Sequence, residues 1–338
     1  MQITPLVTGT VISIGADDGD LVHEGQVLVQ FDPADAAVGL ESAEANLGKT
    51  VRQVRGLYSN VDSLKAQVGA RQSDVKRAQD NYKRRKNLAD GGAISQEELS
   101  HAKDDLDQAQ SNLVNARQQL STSAALVDDT QIANHPDVKS AAAQLRQAYL
   151  TNARSTLVAP VTGYVAQRSV QVGQRVQPGA ALMSVIPMEQ MWIDANFKET
   201  QLPLVRIGQP VDITTDLYGD DVPFGGTIES IGAGTGSAFA LLPAQNATGN
   251  WIKIVQRVPV RVSINPDDLK AHPLRIGLST VVNVDLHHTN GPVLAQQSSQ
   301  QPSFSTNIYN EQLVEADALI EKLIHDNSAA IPDKTAKR

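Results

Sequence analysis

The chain has 338 residues, a formal net charge of −8 and no cysteine. The acidic balance argues against a nucleic-acid partner, because binding phosphates requires a basic face. The lack of cysteine excludes disulfides, thiolate nucleophiles and cysteine-ligated metal sites. Aromatic residues make up only 4 % of the chain, so we expect a thin core and an elongated protein.

The first predicted element is one half of an internal repeat. The segment from Pro5 to Pro33 returns from Pro160 to Pro187, at an offset of 154 residues. Three glycines keep the same spacing in both copies: Gly9, Gly19 and Gly25, then Gly163, Gly173 and Gly179. Neither half is long enough to bury its apolar face alone. We therefore predict that the halves close into one small β module, from which the intervening residues project as an arm.

The arm carries a strict seven-residue apolar repeat, which predicts an antiparallel pair of helices packed as a left-handed coiled coil. The predicted core positions are Leu40, Leu47, Val54, Val61, Val68 and Val75 on the first helix, and Leu99, Leu106, Leu113 and Leu120 on the second. Each limb would run for roughly 55 to 60 residues, or about 80 Å at about 1.5 Å per residue. An arm of that length indicates a spacer that reaches a partner.

Helix boundaries within the arm are set by short motifs. Gly91 and Gly92 predict the end of the first helix, and Ser95 followed by Glu98 predicts a capping box for the second. The sequence Asn134-His135-Pro136-Asp137 predicts a break in the returning helix, with Asp137 as the cap of a further helical segment.

After Pro187 the pattern changes to short alternating runs that predict four to six strands of a small antiparallel β-barrel. The segment Asn196–Thr200 is interpreted as a turn, and the loop over 232–250 is long enough to predict a functional role. Residues 291–338 are expected to form a polar, mobile linker and one amphipathic helix, which is either weakly docked or a partner contact.

No residue pattern indicates catalysis, a cofactor or a metal. The glycines of 232–236 lack the lysine and the following helix of a phosphate-binding loop. His287 and His288 are adjacent, so on a strand they would point to opposite faces rather than bind one ion. We therefore predict a protein that is not an enzyme.

The sequence resembles the HlyD family of periplasmic adaptor, or membrane fusion, proteins. The likeness rests on VTGTV and APVTGYVAQRSVQVG in the two repeat halves, and on MWIDANFKETQL, RIGQPVDITTDLYGDD and GTGSAFALLPAQNATGNWIKIVQRVPVRV in the barrel region. It spans nearly all of 4–293. The resemblance implies an α+β fold in which a lipoyl/biotinyl-like β module, or barrel-sandwich hybrid, is split by the coiled-coil hairpin and followed by the β-barrel.

The implied domains are a lipoyl-like module over 5–33 plus 157–187, a hairpin over 34–156 with its tip at 88–95, a barrel over 188–290 and the tail over 291–338. The implied function is that of a non-enzymatic adaptor of a tripartite multidrug efflux pump. Such an adaptor links a major-facilitator drug/proton antiporter of the inner membrane to a TolC-type outer-membrane channel, and assembles as a trimer or hexamer.

The resemblance also implies site residues. Adaptors that dock on TolC-type channels carry Arg, Leu and Ser at the spacing of Arg84, Leu88 and Ser95. Each has a plain structural alternative: Ser95 caps a helix, Leu88 closes the coiled coil and Arg84 is a solvated charge. Asn196, Phe197 and Lys198 lie in the family's membrane-proximal barrel, where contact with a transporter is a hypothesis.

Other readings stay open at this point. The runner-up is an adaptor of a different exporter, such as an ATP-driven secretion system. A lipoyl- or biotin-carrying domain would need a lysine between the repeat halves, where Asp32-Pro33 and Ala159-Pro160 stand instead. A tethering coiled coil would not require the barrel sequences.

The expected location is the periplasm of a Gram-negative bacterium. No stretch of eighteen apolar residues is present. The resemblance implies an N-terminal membrane helix that this sequence lacks.

Overall fold

The computed structural model describes residues 1–127, 131–239, 255–295 and 305–328. These residues form two compact units. A β unit comprises Met1–Gln30 and Leu157–Asn307, and a helical unit comprises Phe31–Thr156 and Ile308–Arg338.

The first half of the β unit is the module predicted from the repeat. Its strands are β1 (Gln2–Ile3), β2 (Gly9–Ile14), β3 (Leu21–Val22), β4 (Val27–Phe31), β5 (Thr156–Val158), β6 (Gly163–Ala166), β7 (Arg175–Val176) and β8 (Met183–Ile186). They form two four-stranded sheets with the orders β1-β8-β6-β3 and β5-β4-β2-β7. Both sheets mix strands from the two repeat copies, so neither copy can complete a sheet alone.

Hydrogen bonds of the module follow the repeat. The amide of Gly19 donates to the carbonyl of Val165 at 2.9 Å, and the amide of Gly173 donates to the carbonyl of Val11 at 2.8 Å. These two bonds are the same bond with the copies exchanged, since each residue is shifted by 154 positions. The halves are therefore related by an approximate exchange symmetry.

The second half of the β unit is a five-stranded antiparallel barrel, as the sequence predicts. Its strands are β9 (Trp192–Lys198), β10 (Pro210–Thr215), β11 (Gly219–Ile231), β12 (Arg257–Ile264) and β13 (Thr280–Val284), in the order β13-β10-β11-β12-β9. Inward side chains from all five strands share one apolar core that includes Ile213, Phe224, Ile228, Val260 and Val262. A short helix, α4 (Pro266–Ala271), follows β12 and adds Leu269 to that core.

The predicted functional loop over 232–250 is described only as far as residue 239, and the rest of it lies outside the described residues.

The helical unit begins with a long helix, α1 (Ala34–Asp90), and returns through α2 (Gln96–Ala124) and α3 (Pro136–Ala153). At about 1.5 Å per residue, the 57 residues of α1 span about 85 Å. The returning limb is interrupted well before the predicted break at Asn134: α2 ends at Ala124, and a short 3-10 turn over Ile132–Asn134 precedes α3.

The prediction that Asp137 caps the further helix is wrong, because the N-cap of α3 is His135. Pro136 occupies the first helical position, where a missing amide hydrogen costs nothing. The capping position therefore falls on the residue before the proline.

The last helix, α5 (Ile308–Ser328), packs on α1 and α3. Ile320 lies in a buried cluster with Leu47, Val51, Val54, Val138, Ala141, Ala142 and Leu145. Polar contacts flank the cluster, since Arg146 pairs with Asp317 and the hydroxyl of Tyr149 donates to Glu315 at 2.8 Å. The amphipathic helix predicted in the tail thus completes a three-helix bundle at the base of the hairpin, with nine residues of the preceding linker outside the described ranges.

Candidate functional site at the hairpin tip

The turn between α1 and α2 is held by backbone hydrogen bonds. The amide of Gly92 donates to the carbonyl of Ala89, and that of Ala93 donates to the carbonyl of Leu88, both at 2.9 Å. Gly92 has a φ of +73°, a left-handed conformation that glycine adopts without strain. The chain therefore reverses within five residues, between Asp90 and Gln96.

The predicted capping box starts the returning helix and is confirmed. The amide of Glu98 donates to Oγ of Ser95 at 3.2 Å, and the amide of Ser95 donates to the Glu98 carboxylate at 3.4 Å. The Ser95 hydroxyl oxygen is thus already used as an acceptor. The hydroxyl hydrogen can still be donated to a partner.

The three residues predicted to dock on a channel occupy the tip as the spacing requires. Arg84 lies on the last turns of α1, Leu88 near its end and Ser95 at the cap of α2, and all three are exposed. The side chain of Leu88 is 50 % exposed. This exposure weakens the alternative that Leu88 merely closes the coiled coil.

A run of cations surrounds Arg84. Lys83, Arg84 and Lys86 are exposed, whereas Arg85 is half-buried and reaches the carbonyl of Glu98 on α2 at 3.4 Å. Arg85 therefore braces the two helices against each other. The other three cations form no ion pair with any residue in the described part of the chain.

Below the tip, the heptad positions lie between the helices. Leu47, Val54, Val61 and Val68 of α1 are buried, and Leu40 and Val75 are partly buried. On α2 the leucines at 99, 106, 113 and 120 are only partly buried, whereas Ala102 and Ala116 are buried. The small side chains on α2 permit close approach of α1, which holds the tip at the end of a tightly packed pair.

Local backbone geometry explains why most of the module glycines are glycine. Gly19, Gly25, Gly173 and Gly179 have φ values between +83° and +90°, in the region that favours glycine. A Cβ on Gly163 would collide with the backbone carbonyl of Ile186. Gly9, the repeat partner of Gly163, lies in β2 opposite Val176.

The interpretation of Asn196–Thr200 as a turn is wrong for its first three residues, which continue β9. The alternation of polar and apolar residues extends through Lys198, so Phe197 packs against the barrel core. Asn196 and Lys198 face outward and are exposed. Of the three residues predicted to contact a transporter, only these two are presented to a partner.

The pKa values of Asp17 and Tyr149 are shifted by contacts within the fold. The Arg168 side chain donates to Asp17 at 2.6 Å, and this hydrogen bond, with that from the amide of Asp18, lowers the pKa of Asp17 below its usual 3.8. Burial and the nearby Glu315 raise the pKa of Tyr149. Neither group lies at the tip.

Among the residues described, no cluster of three or more potential ligands converges to hold a metal ion. No helix in the described ranges is both long enough and apolar enough to span a bilayer.

Comparison with known proteins matches two domain families. Residues 34–155 match the α-helical hairpin domain of EMRA, and residues 190–285 match the AAEA-like β-barrel domain. Over 328 residues the chain is 43 % identical to the multidrug export protein EmrA of Escherichia coli K12. The matched region covers 97 % of this chain and 84 % of that protein. The chain belongs to the EmrA family of membrane fusion proteins.

Two further relatives show a similar level of identity to this chain. EmrA of Haemophilus influenzae is 44 % identical over 97 % of this chain and 84 % of its own length. The fatty acid resistance protein FarA of Neisseria gonorrhoeae is 45 % identical over 92 % of this chain and 79 % of its own. Superposition on a solved periplasmic adaptor EmrA gives a TM-score of 0.39 at 18 % identity, over 84 % of this chain and 94 % of that one, which is too low to extend the assignment.

Membership in the EmrA family confirms the predicted HlyD-type adaptor and its α+β fold of helical hairpin and β-barrel. The chain is therefore an adaptor protein of the efflux-pump type, and adaptors of this family are not enzymes.

The sequence did not indicate which surface α5 covers.

Proposed function

We propose that the chain is the periplasmic adaptor of a tripartite multidrug efflux pump, linking a major-facilitator transporter of the inner membrane to a TolC-type channel of the outer membrane. The supporting observation is family membership with a multidrug export protein over 97 % of the chain. The related FarA, a fatty acid resistance protein, extends the expected cargo class to amphipathic molecules.

The proposed mechanism is mechanical. A coiled-coil hairpin with a 57-residue first helix spans a distance that a compact domain cannot, and its tip presents exposed side chains to a partner. The adaptor would hold the transporter and the channel in a fixed relative position, while the transporter supplies the energy for export. Several copies, three or six, would assemble side by side around the transport path.

Docking on the channel is proposed for Arg84, Leu88 and Ser95. A guanidinium can donate two parallel hydrogen bonds to a carboxylate or to backbone carbonyls. The half-exposed Leu88 can fill an apolar notch, and the Ser95 hydroxyl can donate one further bond. Attachment to the inner membrane is proposed to use a helix preceding Met1, as predicted from the sequence.

The first test replaces the tip chemistry without touching a buried residue. The double variant Arg84→Asp with Leu88→Ser is expected to fold normally and to abolish drug resistance in a strain that depends on this pump. The matched control is Lys103→Asp with Val114→Ser, which makes the same two types of change at exposed positions of α2. A tip variant that confers full resistance would contradict docking through these residues.

A second test identifies the partner of the tip. Because the chain has no cysteine, Asp90→Cys introduces a unique thiol beside Gly91. In cells that express the membrane-anchored protein, we expect this thiol to crosslink to a cysteine placed at the periplasmic end of a TolC-type channel. If the folded protein gives no adduct, the channel is not the partner of the tip, and an adaptor for another exporter becomes the better assignment.

A further inference from the structure

The β unit holds a cleft where the barrel meets the β module. Its volume is about 430 Å³, which lies within the range of pockets that hold small organic molecules. Leu21 and Tyr164 line it on the module side, and residues of α4 and of the 3-10 turn Met188–Gln190 line it on the barrel side. Both sides belong to one compact unit. We call this feature the module–barrel cleft.

The module side of the cleft belongs to an apolar row across three strands. Leu21 of β3 lies opposite Tyr164 of β6, and Tyr164 lies opposite Ile186 of β8. The adjacent residues Val22 and Val165 are buried inside the module, so the row lies on the outer face of the sheet. Leu21 is 48 % exposed and Tyr164 is 41 % exposed. Two large side chains therefore meet solvent inside a concave site, where their burial by a ligand is favourable.

The barrel side of the cleft is held in place by hydrogen bonds. It includes Leu269 of α4 and Pro273, which follows that helix. The amide of Gly225 donates to the Asp268 carboxylate at 2.9 Å, which ties α4 to β11. The hydroxyl of Tyr218 donates to the carbonyl of Pro273 at 2.9 Å. A ligand therefore meets a preformed surface and loses little free energy in ordering it.

A weak ion pair lines the cleft. The ammonium of Lys270 lies 3.9 Å from the carboxylate of Glu189, and the two side chains are 63 % and 76 % exposed. That separation is longer than a hydrogen bond, and ion pairs between such exposed groups contribute little to stability. A cationic ligand can therefore replace Lys270 beside the Glu189 carboxylate at a small cost in free energy.

The charges around the cleft favour a cation as the ligand. Among the described residues that line it, Lys270 is the only one with a positive charge, and it already lies beside a carboxylate. Glu24 adjoins the rim, since its amide donates to Oγ1 of Thr162 at 3.1 Å, and the first turn of α4 carries Asp267. The net charge of −8 attracts cations over a longer range. The ring of Tyr164 adds attraction for a cation through its π face.

We propose that the module–barrel cleft binds an amphipathic organic cation. The apolar part of the ligand lies on Leu21 and Tyr164, and its charged group pairs with Glu189 in place of Lys270. The inference rests on the proposed function and deepens it, because such a cation would be cargo held by the adaptor. Binding requires neither the transporter nor the channel, so it is measured on the purified chain.

Fluorescence anisotropy of ethidium, an aromatic cation, tests the binding residues. Glu189→Gln and Tyr164→Ala are each expected to raise the dissociation constant by about threefold or more. The matched controls are Glu199→Gln, an exposed carboxylate elsewhere on the barrel, and Tyr309→Ala, a tyrosine of α5 that is 39 % exposed. Both controls should bind as the parent does. A dissociation constant that is unchanged by Glu189→Gln and by Tyr164→Ala would overturn the proposal.

An anionic dye, anilinonaphthalene sulfonate, tests the sign of the charge. It is expected to bind more weakly than ethidium, and to bind better when Glu189→Gln removes the repelling carboxylate. Lys270→Gln should leave ethidium binding unchanged or strengthen it, since the ligand no longer competes with the lysine. Preference for the anion in the parent, with loss of its binding in Lys270→Gln, would overturn the assignment of a cation.

Protection of a thiol tests the location of the site. Because the chain has no cysteine, Lys270→Cys places a unique thiol in the cleft without removing a group that holds the ligand. Saturating ethidium is expected to slow the reaction of this thiol with a maleimide, and to leave the rate at Lys198→Cys unchanged. Equal rates at Lys270→Cys with and without ethidium would overturn the location. A rate that falls with rising protein concentration, without ethidium, would mean that a second copy covers the cleft and would also overturn it.

The readouts separate this inference from the proposed function. Absence of ethidium protection at Lys270→Cys, in a chain that confers full drug resistance in cells, counts against the cleft alone. Protection at Lys270→Cys, in a chain that confers no resistance, counts against the efflux role and leaves the binding site standing.

Discussion

The imidazole of His135 accepts a hydrogen bond from the backbone amide of Asp137 at 3.2 Å, through Nδ1. Because Nδ1 is the acceptor, the proton of the neutral ring lies on Nε2, which is 3.1 Å from the carbonyl of Leu126. One buried side chain therefore caps α3 and also ties it to the end of α2. His135 therefore links the two segments of the interrupted returning limb.

Replacing His135 with alanine should remove both bonds. We expect a loss of about 1–2 kcal/mol of unfolding free energy, the usual range for a lost N-cap. His135→Asn should recover most of the capping term, since asparagine is a good N-cap, but not the bond to Leu126. Urea unfolding followed by the circular dichroism of the helices measures both. An alanine variant as stable as the parent would show that the cap is not needed.

The heptad register predicts a graded response to a charge placed on the coiled coil. Val61 is 5 % exposed, so Val61→Asp buries an unpaired carboxylate and should cost about 3–5 kcal/mol. Leu106 is only partly buried, and Leu106→Asp should cost less. Val114→Asp, at a site 63 % exposed, should stay within about 0.5 kcal/mol of the parent. Equal melting temperatures for the three variants would refute the register.

The exchange symmetry of the β module predicts equal effects from equivalent glycines. Gly19→Ala and Gly173→Ala both place a side chain on a left-handed backbone and should each cost about 1 kcal/mol. Gly163→Ala should cost more, about 1–3 kcal/mol, because the new Cβ meets a backbone carbonyl that cannot move aside freely. Hydrogen exchange of peptides from the module ranks the three. Clearly unequal values for Gly19 and Gly173 would contradict the symmetry.

The Asp17–Arg168 pair predicts an acid-sensitive contribution to the β module. Because Arg168 lowers the pKa of Asp17 in the folded state, the pair stabilises the fold above pH 3.8, and this contribution is lost as the pH falls through the lowered folded value. Asp17→Asn should destabilise the module at pH 7, and its difference from the parent should shrink as the pH falls below 3.8. Urea unfolding at a series of pH values from 7 downward tests the sign, and a difference that grows toward low pH would contradict it.

The sequence was most informative where one residue type satisfies a local requirement. The repeated glycines predicted the module, and the structure explains their spacing because positive φ values recur at equivalent positions of the two copies. Ser95 with Glu98 predicted the start of α2. The sequence was misinterpreted at 196–198, where polar residues suggested a turn although β9 continues through Lys198.

The rest depended on contacts that no local pattern encodes. The end of α2 at Ala124 precedes any glycine or proline, so composition gave no stop signal there. The period of apolar residues in α5 defined its buried face, but not the partner that this face would meet.

The docking of α5 also constrains the order in which the chain can mature. Leu47 and Val138 meet Ile320 in one cluster, and the whole barrel sequence is synthesised between α3 and α5. A nascent chain must therefore carry the apolar side of its α1/α3 pair uncovered until α5 (Ile308–Ser328) has been synthesised. Exposed apolar surface of this kind is what holding chaperones bind, and the helical unit cannot be completed until α5 follows the barrel sequence.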